Sequence, residues 1–343
     1  MNVTIFFTRD CNLRCSYCYE GEKNTSEISH ETLDRISCFV SEHMRKVGDH
    51  DLTIVTHGGE PLLVHTKIQS FIKQIKEKIP QTKFSITTNG TIMNDSILEL
   101  LSEEYDNISI SIDGTKEAHD KNRVYKNQLG SFELVKKNAL RLLDKRPDTV
   151  ARMTVNSSNV SDLYQGVMEL IEMGFTNIMP TPDEFDSKWN EQSLEIFLTQ
   201  CKRITAYLYS NKDLHSMPDV GFINDAPMKT RNSVCDGGIE TLTIDVNGDI
   251  YPCIIVNGIK EFCIGSVLDG IDEKKLKMIH AEDHQEIEEC IGCERYHYCT
   301  TTRCKIINKV KTGDFNLPSG TQCCIEHIFV QSALYSEEVI KAF

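Results

Sequence analysis

The sequence predicts an α/β protein built on a parallel sheet and followed by a small cysteine-rich domain. Three observations predict it. Six β-rich runs alternate with amphipathic stretches as far as residue 181, the order a parallel sheet requires. Beyond about residue 215 the composition turns to Gly, Pro, Asn and Cys. Nine of the fourteen cysteines then fall between 235 and 324. The alternation allows a doubly wound sheet or a barrel. No glycine-rich nucleotide fingerprint follows the first strand, which disfavours a dinucleotide-binding fold.

The strands are read at 3–8, 51–57, 83–88, 107–112, 149–155 and 176–181, where β-branched and aromatic residues cluster between turn residues. The first helix carries Leu33, Ile36, Val40 and Val47. The second carries Ile68, Phe71, Ile72, Ile75 and Ile79 at helical spacing. A third opens at Asn94 as N-cap and uses Ile97, Leu98 and Leu101. Residues 131–144, 160–173 and 191–210 repeat the pattern. The predicted domains are 1–215, a linker over 216–234, a cysteine-rich domain over 235–330, and a tail or helix over 331–343.

A net charge of −14 and a pI near 5.3 argue against nucleic-acid or membrane-surface binding. The N-terminus lacks a basic start and a long apolar stretch, so a cytoplasmic chain is expected. There, cysteines serve metal or catalysis more often than disulfides.

The chemistry-bearing motifs follow strands: Cys11-x₃-Cys15-x₂-Cys18, then "GGEP" (58–61), "TNG" (88–90) and "SIDG" (111–114). In parallel βα folds the carboxyl ends of the strands build the active site. Gly58 and Gly59 allow close backbone approach to a ligand, and Glu60 offers an acceptor for an ammonium group. Three thiolates hold three irons of a [4Fe–4S] cube and leave the fourth open to S-adenosylmethionine (SAM). The competing reading of 11/15/18 is a zinc knuckle, although structural zinc takes four protein ligands. His57 and His119 read as packing or capping residues, and Cys38 and Cys201 as small core residues. Tyr17 and Tyr19 read as cover for the cluster.

With Tyr17 before its last cysteine, this loop resembles the signature of radical SAM enzymes, and the resemblance spans residues 3–181. It implies a partial (β/α)6 barrel. It also implies that Gly58, Gly59 and Glu60 meet the methionyl amino group of SAM, with Asn89 at the same site. Ser111 and Asp113 would lie near the ribose or carboxylate, and Arg123 or Arg152 would pair with the carboxylate. The cofactor supplies a 5′-deoxyadenosyl radical; the protein positions it and excludes water.

Asn247-Gly248 marks a hairpin that ends at Cys253. Cys290, Cys293, Cys299 and Cys304 follow, then Cys323 and Cys324. A zinc ribbon is the competing reading, but beside the first half this segment resembles the SPASM extension with two auxiliary iron–sulfur clusters. The resemblance implies Cys235, Cys253 and Cys304 for the first. For the second it implies Cys290, Cys293 and Cys299, completed by Cys323 or Cys324. No cysteine closely follows Cys235 as a fourth ligand to the first cluster. Cys263 fills that place, or an iron stays open to a substrate thiolate.

The implied activity is hydrogen abstraction from a ribosomally made precursor peptide, installing a thioether or C–C crosslink by oxidation. The alternatives are anaerobic sulfatase maturation (Cys or Ser to formylglycine) and peptide epimerisation. In sulfatase-maturating enzymes an Asp commonly follows the cysteine of the YPC-like segment, and here Ile254 stands there. The non-enzyme reading is an iron–sulfur scaffold or redox sensor. The expected partners are a peptide or protein substrate and an electron donor such as flavodoxin or ferredoxin. With little chain before the first strand, a separate leader-recognition protein or direct peptide binding is also expected.

Overall fold

The computed structural model describes residues 1–21, 23–210, 217–221, 235–296, 299 and 302–342, with side chains as far as 336. Most of the expected linker at 216–234 lies outside the described residues. The strands are β1 (Asn2–Thr8), β2 (Thr53–Gly58), β3 (Lys83–Thr88), β4 (Asn107–Ser111), β5 (Val150–Val155) and β6 (Asn177–Pro182). Shorter ones follow: β7 (Asp219–Val220), β8 (Thr241–Ile244), β9 (Asp249–Tyr251), β10 (Gly265–Ser266) and β11 (Gly270–Ile271). The helices are α1 (His30–Val47), α2 (His65–Lys78), α3 (Asp95–Glu104), α4 (Lys116–Asn122) and α5 (Phe132–Lys145). After them come α6 (Leu163–Glu172), α7 (Glu191–Ser210), α8 (Glu273–Ile279), α9 (Lys305–Thr312) and α10 (Gly320–Ala342).

Two compact units form. The first contains Met1–Arg14, Cys18–Ser109 and Cys235–His284, and the second contains Cys15–Tyr17, Ile110–Val234 and Gln285–Phe343. In the first, β1, β2 and β3 run parallel in chain order, with the start of β4 next to β3. β8 lies parallel to β1 on its other edge, pairing Asn2 with Thr241 and Ile5 with Ile244. The hairpin returns through Gly248, whose φ of 89° suits the turn at Asn247-Gly248. Residues 235–284 therefore extend this unit's sheet.

Helix ends follow the sequence closely. Ser29 caps α1 by accepting from the Thr32 N–H, Gly48 ends it in the left-handed region, and Asn94 caps α3 by accepting from the Ile97 N–H. Each side-chain cap contributes about 1 kcal/mol. Leu33, Ile36, Val40, Ile68, Phe71, Ile72 and Ile75 are buried, and each such side chain stabilises by about 1.5–3 kcal/mol. Cys38 corrects an expectation. It is exposed on the outer face of α1, with Lys78 Nζ 3.5 Å from its sulfur, and not in the core. Its neighbours Ile36, Ser37, Phe39 and Val40 hold the inward arc of the helix, and the turn of 100° per residue carries position 38 outward.

The second unit continues from the end of β4 through β5, β6 and β7 in parallel chain order. Its core joins Ile110, Ile112, Ala151, Met153, Val155 and Ile178 to the inner faces of α5, α6 and α7. Cys201 is buried there on α7, as expected, and Ser332 of α10 hydrogen-bonds to it. The predicted tail at 331–343 is the later part of α10, one helix from Gly320 to Ala342.

In both units one face of the sheet is the more apolar and the more buried. The opposite face of the first carries Thr4, Val55, His57, Ser85 and Thr87, all partly exposed. In the second it carries Ser111, Arg152, Thr154, Met179 and Thr181, also partly or fully exposed. A doubly wound sheet has helices over both faces and reads apolar on both. The sheet of neither unit reads that way, and each unit is an α/β arrangement of parallel strands with helices packed on its more apolar face. Among the described residues no helix is long and apolar enough to cross a membrane.

Candidate functional site

In the first unit the cysteine loop leaves β1 under tight backbone control. Thr8 Oγ1 accepts from the Asp10 N–H at 3.0 Å, Asp10 Oδ1 accepts from the Cys11 N–H at 2.8 Å, and Arg14 Nη1 donates to the Leu13 carbonyl at 2.7 Å. Cys11 is buried, and its sulfur lies 3.4 Å from the Leu13 N–H and 3.7 Å from Asn89 Nδ2. Donors aimed at sulfur fit a thiolate ligand of an iron–sulfur cluster. Cys18 is exposed, and Cys15, in the second unit, is half-buried.

The GGEP turn packs against this loop. A Cβ on Gly58 would stand 2.4 Å from the Thr8 carbonyl oxygen, and one on Gly59 would stand 2.2 Å from that of Asp10. The close approach that demands glycine here is therefore to the chain's own backbone. The N–H groups of Gly59 and Glu60 donate to Thr8 O and Asp10 O at 3.0 and 2.8 Å. Glu60 is almost wholly buried. Its carboxylate accepts from the Leu62 N–H (3.0 Å), the Thr88 hydroxyl (2.8 Å) and the Asn89 N–H (2.7 Å). Burial pushes this carboxyl up to about 7 against those three donors. Glu60 and Asn89 thus tie the ends of β2 and β3 together beside Cys11.

In the second unit the "SIDG" turn centres on Asp113. Its Oδ2 accepts from Arg123 Nε at 3.1 Å and from the Tyr17 hydroxyl. Oδ1 accepts from Arg123 Nη2 at 3.0 Å and from the Thr154 N–H at 2.9 Å. The Arg123 guanidinium stacks 5.1 Å from the Tyr17 ring centroid. Burial, more than any neighbour, raises the Tyr17 phenol well above its usual range, so it stays a donor. Tyr17 is a strut within this unit and not simply cover for a cluster. Its partners are distant in sequence, so no local pattern signals the role.

Arg123 is buried and committed to Asp113. Arg152 lies exposed on β5, opposite Met179 in the register with β6 and on the polar face with Ser111. His119 behaves as the sequence suggests. Its Nδ1 accepts from the Asp113 N–H at 3.3 Å, its Nε2 lies 2.9 Å from Ser131 Oγ, and burial lowers it to about 4.

The later cysteines fall into groups. In the first unit, burial raises the Cys253 thiol to about 11, with Cys235 close enough to add to the shift. Cys263 instead directs its thiol to the Gly265 carbonyl at 3.5 Å, near Tyr251. In the second unit Cys290, Cys293, Cys299 and Cys323 line one cavity with Tyr296, Pro318 and Val330. Burial and the other three thiols raise Cys290 to about 11. Four soft donors around one void fit a cluster. Cys324 is exposed, and Cys304 stands at the N-cap position of α9 without a side-chain cap hydrogen bond. Cys323→Ala is expected to remove one cluster's iron and Cys324→Ala to leave it, as read by iron content after anaerobic reconstitution.

A further pocket of the first unit was not signalled by any motif. It is lined by Phe6, Arg9, Tyr19, Glu20, Lys23, Ile254, Ile255 and Asn257. Glu20 pairs with Lys23, its Oε1 lies 3.3 Å from His57 Nδ1, and Arg9 pairs with Asp245. The pocket joins an apolar wall to ion pairs, and Ile254 is part of that wall.

Comparison with known proteins fits this geometry. Residues 5–189 match the model of the radical SAM superfamily. The chain belongs to that superfamily. It is 31% identical to a cysteine-type anaerobic sulfatase-maturating enzyme of Clostridium novyi, over 94% of this chain and 90% of that protein. It is 26% identical to the antilisterial bacteriocin subtilosin biosynthesis protein AlbA of Bacillus subtilis, over 93% and 70% of the two chains. Native anSMEcpe with bound AdoMet and Cp18Cys peptide shares the fold with a TM-score of 0.78, covering 99% and 98% at 19% identity. This radical SAM protein is therefore a modifying enzyme of the maturase type. Its family uses a [4Fe–4S] cluster and SAM, and its C-terminal cysteines fit auxiliary clusters.

Proposed function

We propose that this radical SAM enzyme oxidises a ribosomally made precursor peptide, installing a thioether or C–C crosslink. The observation that carries the reading is the pairing of the Cys11 loop with two downstream thiol groups, Cys235/Cys253 and Cys290/Cys293/Cys299/Cys323. When bound, the first cluster and SAM supply a 5′-deoxyadenosyl radical for hydrogen abstraction. Cys11, Cys15 and Cys18 hold that cluster, and Asn89 directs an N–H to the Cys11 sulfur. The turn of Gly58, Gly59 and Glu60 meets the methionyl ammonium, with the buried Glu60 carboxylate holding the turn to the end of β3. Ser111 and Arg152 face the ribose and carboxylate from the polar side of β4 and β5. Asp113 and Arg123, saturated by each other, hold Tyr17 in place.

Cys235 and Cys253 hold the first auxiliary cluster, in a ligand-bearing segment taken as 235–330 after a barrel of 1–215, and the resemblance adds Cys304 to them. A flavodoxin- or ferredoxin-type donor, a leader-recognition protein and a cytoplasmic location complete the proposal. A second reading, cysteine oxidation to formylglycine, is favoured by the match along most of the chain to the Clostridium novyi enzyme. The pocket wall at Ile254 and Ile255 supports the first, because an alkyl side chain takes no proton.

Mass spectrometry of a precursor peptide after anaerobic co-expression is the test. Loss of two hydrogens with a new inter-residue linkage supports crosslinking. Loss of a cysteine sulfur with gain of an aldehyde establishes the second reading, and an inverted centre at unchanged mass establishes epimerisation.

A further inference from the structure

Cys235 is supported by more than its own loop. The Gly237 N–H donates to the Cys235 sulfur at 3.3 Å, and the Gly237 carbonyl lies 2.7 Å from His280 Nε2. On its other side His280 Nδ1 pairs with Asp283. The carboxylate is 7% exposed and the imidazole 16%, so solvent screens the pair little. The hydrogen bond that His280 gives to Asp283, ahead of the opposing effect of burial, raises the imidazole above its ordinary range. An imidazolium donates from both nitrogens at once, one to Asp283 and one to Gly237.

The α-carbon of Gly237, which joins the peptide that donates to sulfur to the one that His280 holds, is closely surrounded. A Cβ on Gly237 would stand 3.0 Å from the Pro252 carbonyl oxygen and 3.2 Å from the Cys235 sulfur. The turn that follows is closed by the Gly238 N–H to Thr241 O (2.7 Å) and the Ile239 N–H to Asp236 O (2.9 Å). His43 Nε2 holds the Ile239 carbonyl at 2.8 Å. This chain of contacts runs from Asp283 through His280 and Gly237 to the Cys235 sulfur.

We propose that His280, held by Asp283, is a positioning residue that fixes the Gly237 N–H on the Cys235 sulfur and so raises the reduction potential of the cluster Cys235 carries. A hydrogen bond to a ligand sulfur withdraws electron density and favours the reduced cluster, and a nearby cation acts in the same direction. The inference rests on the reading of Cys235 as a cluster ligand.

The test is an EPR-monitored redox titration of the full chain carrying Cys11→Ala, Cys15→Ala and Cys18→Ala, which leaves only C-terminal signals. The signal lost in a further Cys253→Ala variant identifies the cluster. His280→Leu is expected to make its potential more negative, by tenfold or more in the reduction equilibrium (about 59 mV for one electron). His280→Gln, which keeps a donor without the charge, falls between Leu and the wild type. An unmoved potential in His280→Leu with full iron content overturns the inference. If that variant loses its iron, His280→Gln decides by the same criterion, and iron loss in both assigns the residue to folding and overturns it. No C-terminal cluster signal with His280 intact overturns the ligand reading and this inference together, whereas an unmoved potential overturns the inference alone.

Discussion

Replacing Cys11, Cys15 and Cys18 together by alanine is expected to abolish reductive cleavage of SAM to 5′-deoxyadenosine. About eight of about twelve irons should remain, because the C-terminal thiols are untouched. The loss should be complete rather than graded. Cys11 is buried under donors from Leu13 and Asn89, and the next cysteine in sequence after this loop is Cys38, on the outer face of α1. Iron analysis and chromatography of 5′-deoxyadenosine from anaerobic protein check both halves. Retained cleavage in the triple variant defeats the assignment of these residues.

Asp113→Ala is expected to destabilise the chain by about 3–5 kcal/mol, the loss that follows when one member of a buried ion pair is removed. Arg123 would keep its charge in the interior with Asp113 gone from both Nε and Nη2, and Tyr17 would lose the acceptor of its hydroxyl. The denaturant midpoint of the apoprotein measures the effect. The double variant Asp113→Ala/Arg123→Leu should recover much of it by removing the stranded charge. Equal losses in the single and double variants would show that the pair is not what stabilises this turn.

Much of the architecture was legible because it is encoded locally. Strand runs, helical periodicity and the cap at Asn94 depend on neighbours a few residues away, and they appear where the pattern places them. So does the hairpin at Asn247-Gly248. What the local pattern does not carry depends on packing. Cys38 sits in a helical stretch whose buried arc includes its immediate neighbours, and a coarse reading of periodicity does not separate the arc from its edge. The hydrogen bond of Tyr17 to Asp113, 96 residues away, has no local signal beside the reading of Tyr17 as cover. Glu20 carried no motif at all. Its company of His57, Lys23 and the Ile254 wall exists only after folding brings residues 254–257 beside the cysteine loop.

The sequence by itself determined the chemistry: three thiols at a spacing suited to an open cube, acceptor groups at successive strand ends, and further thiols downstream. Such motifs depend on which donors lie close along the chain, and a linear string records that directly. Tertiary structure alone decided their partners. It committed Arg123 to Asp113 and left Arg152 on the polar face. It placed Cys323 and not Cys324 on the thiol-lined cavity, and it set Gly58 and Gly59 against the chain's own carbonyls. Those choices turn on burial and on contacts between residues far apart in sequence, and both arise only when the chain closes on itself.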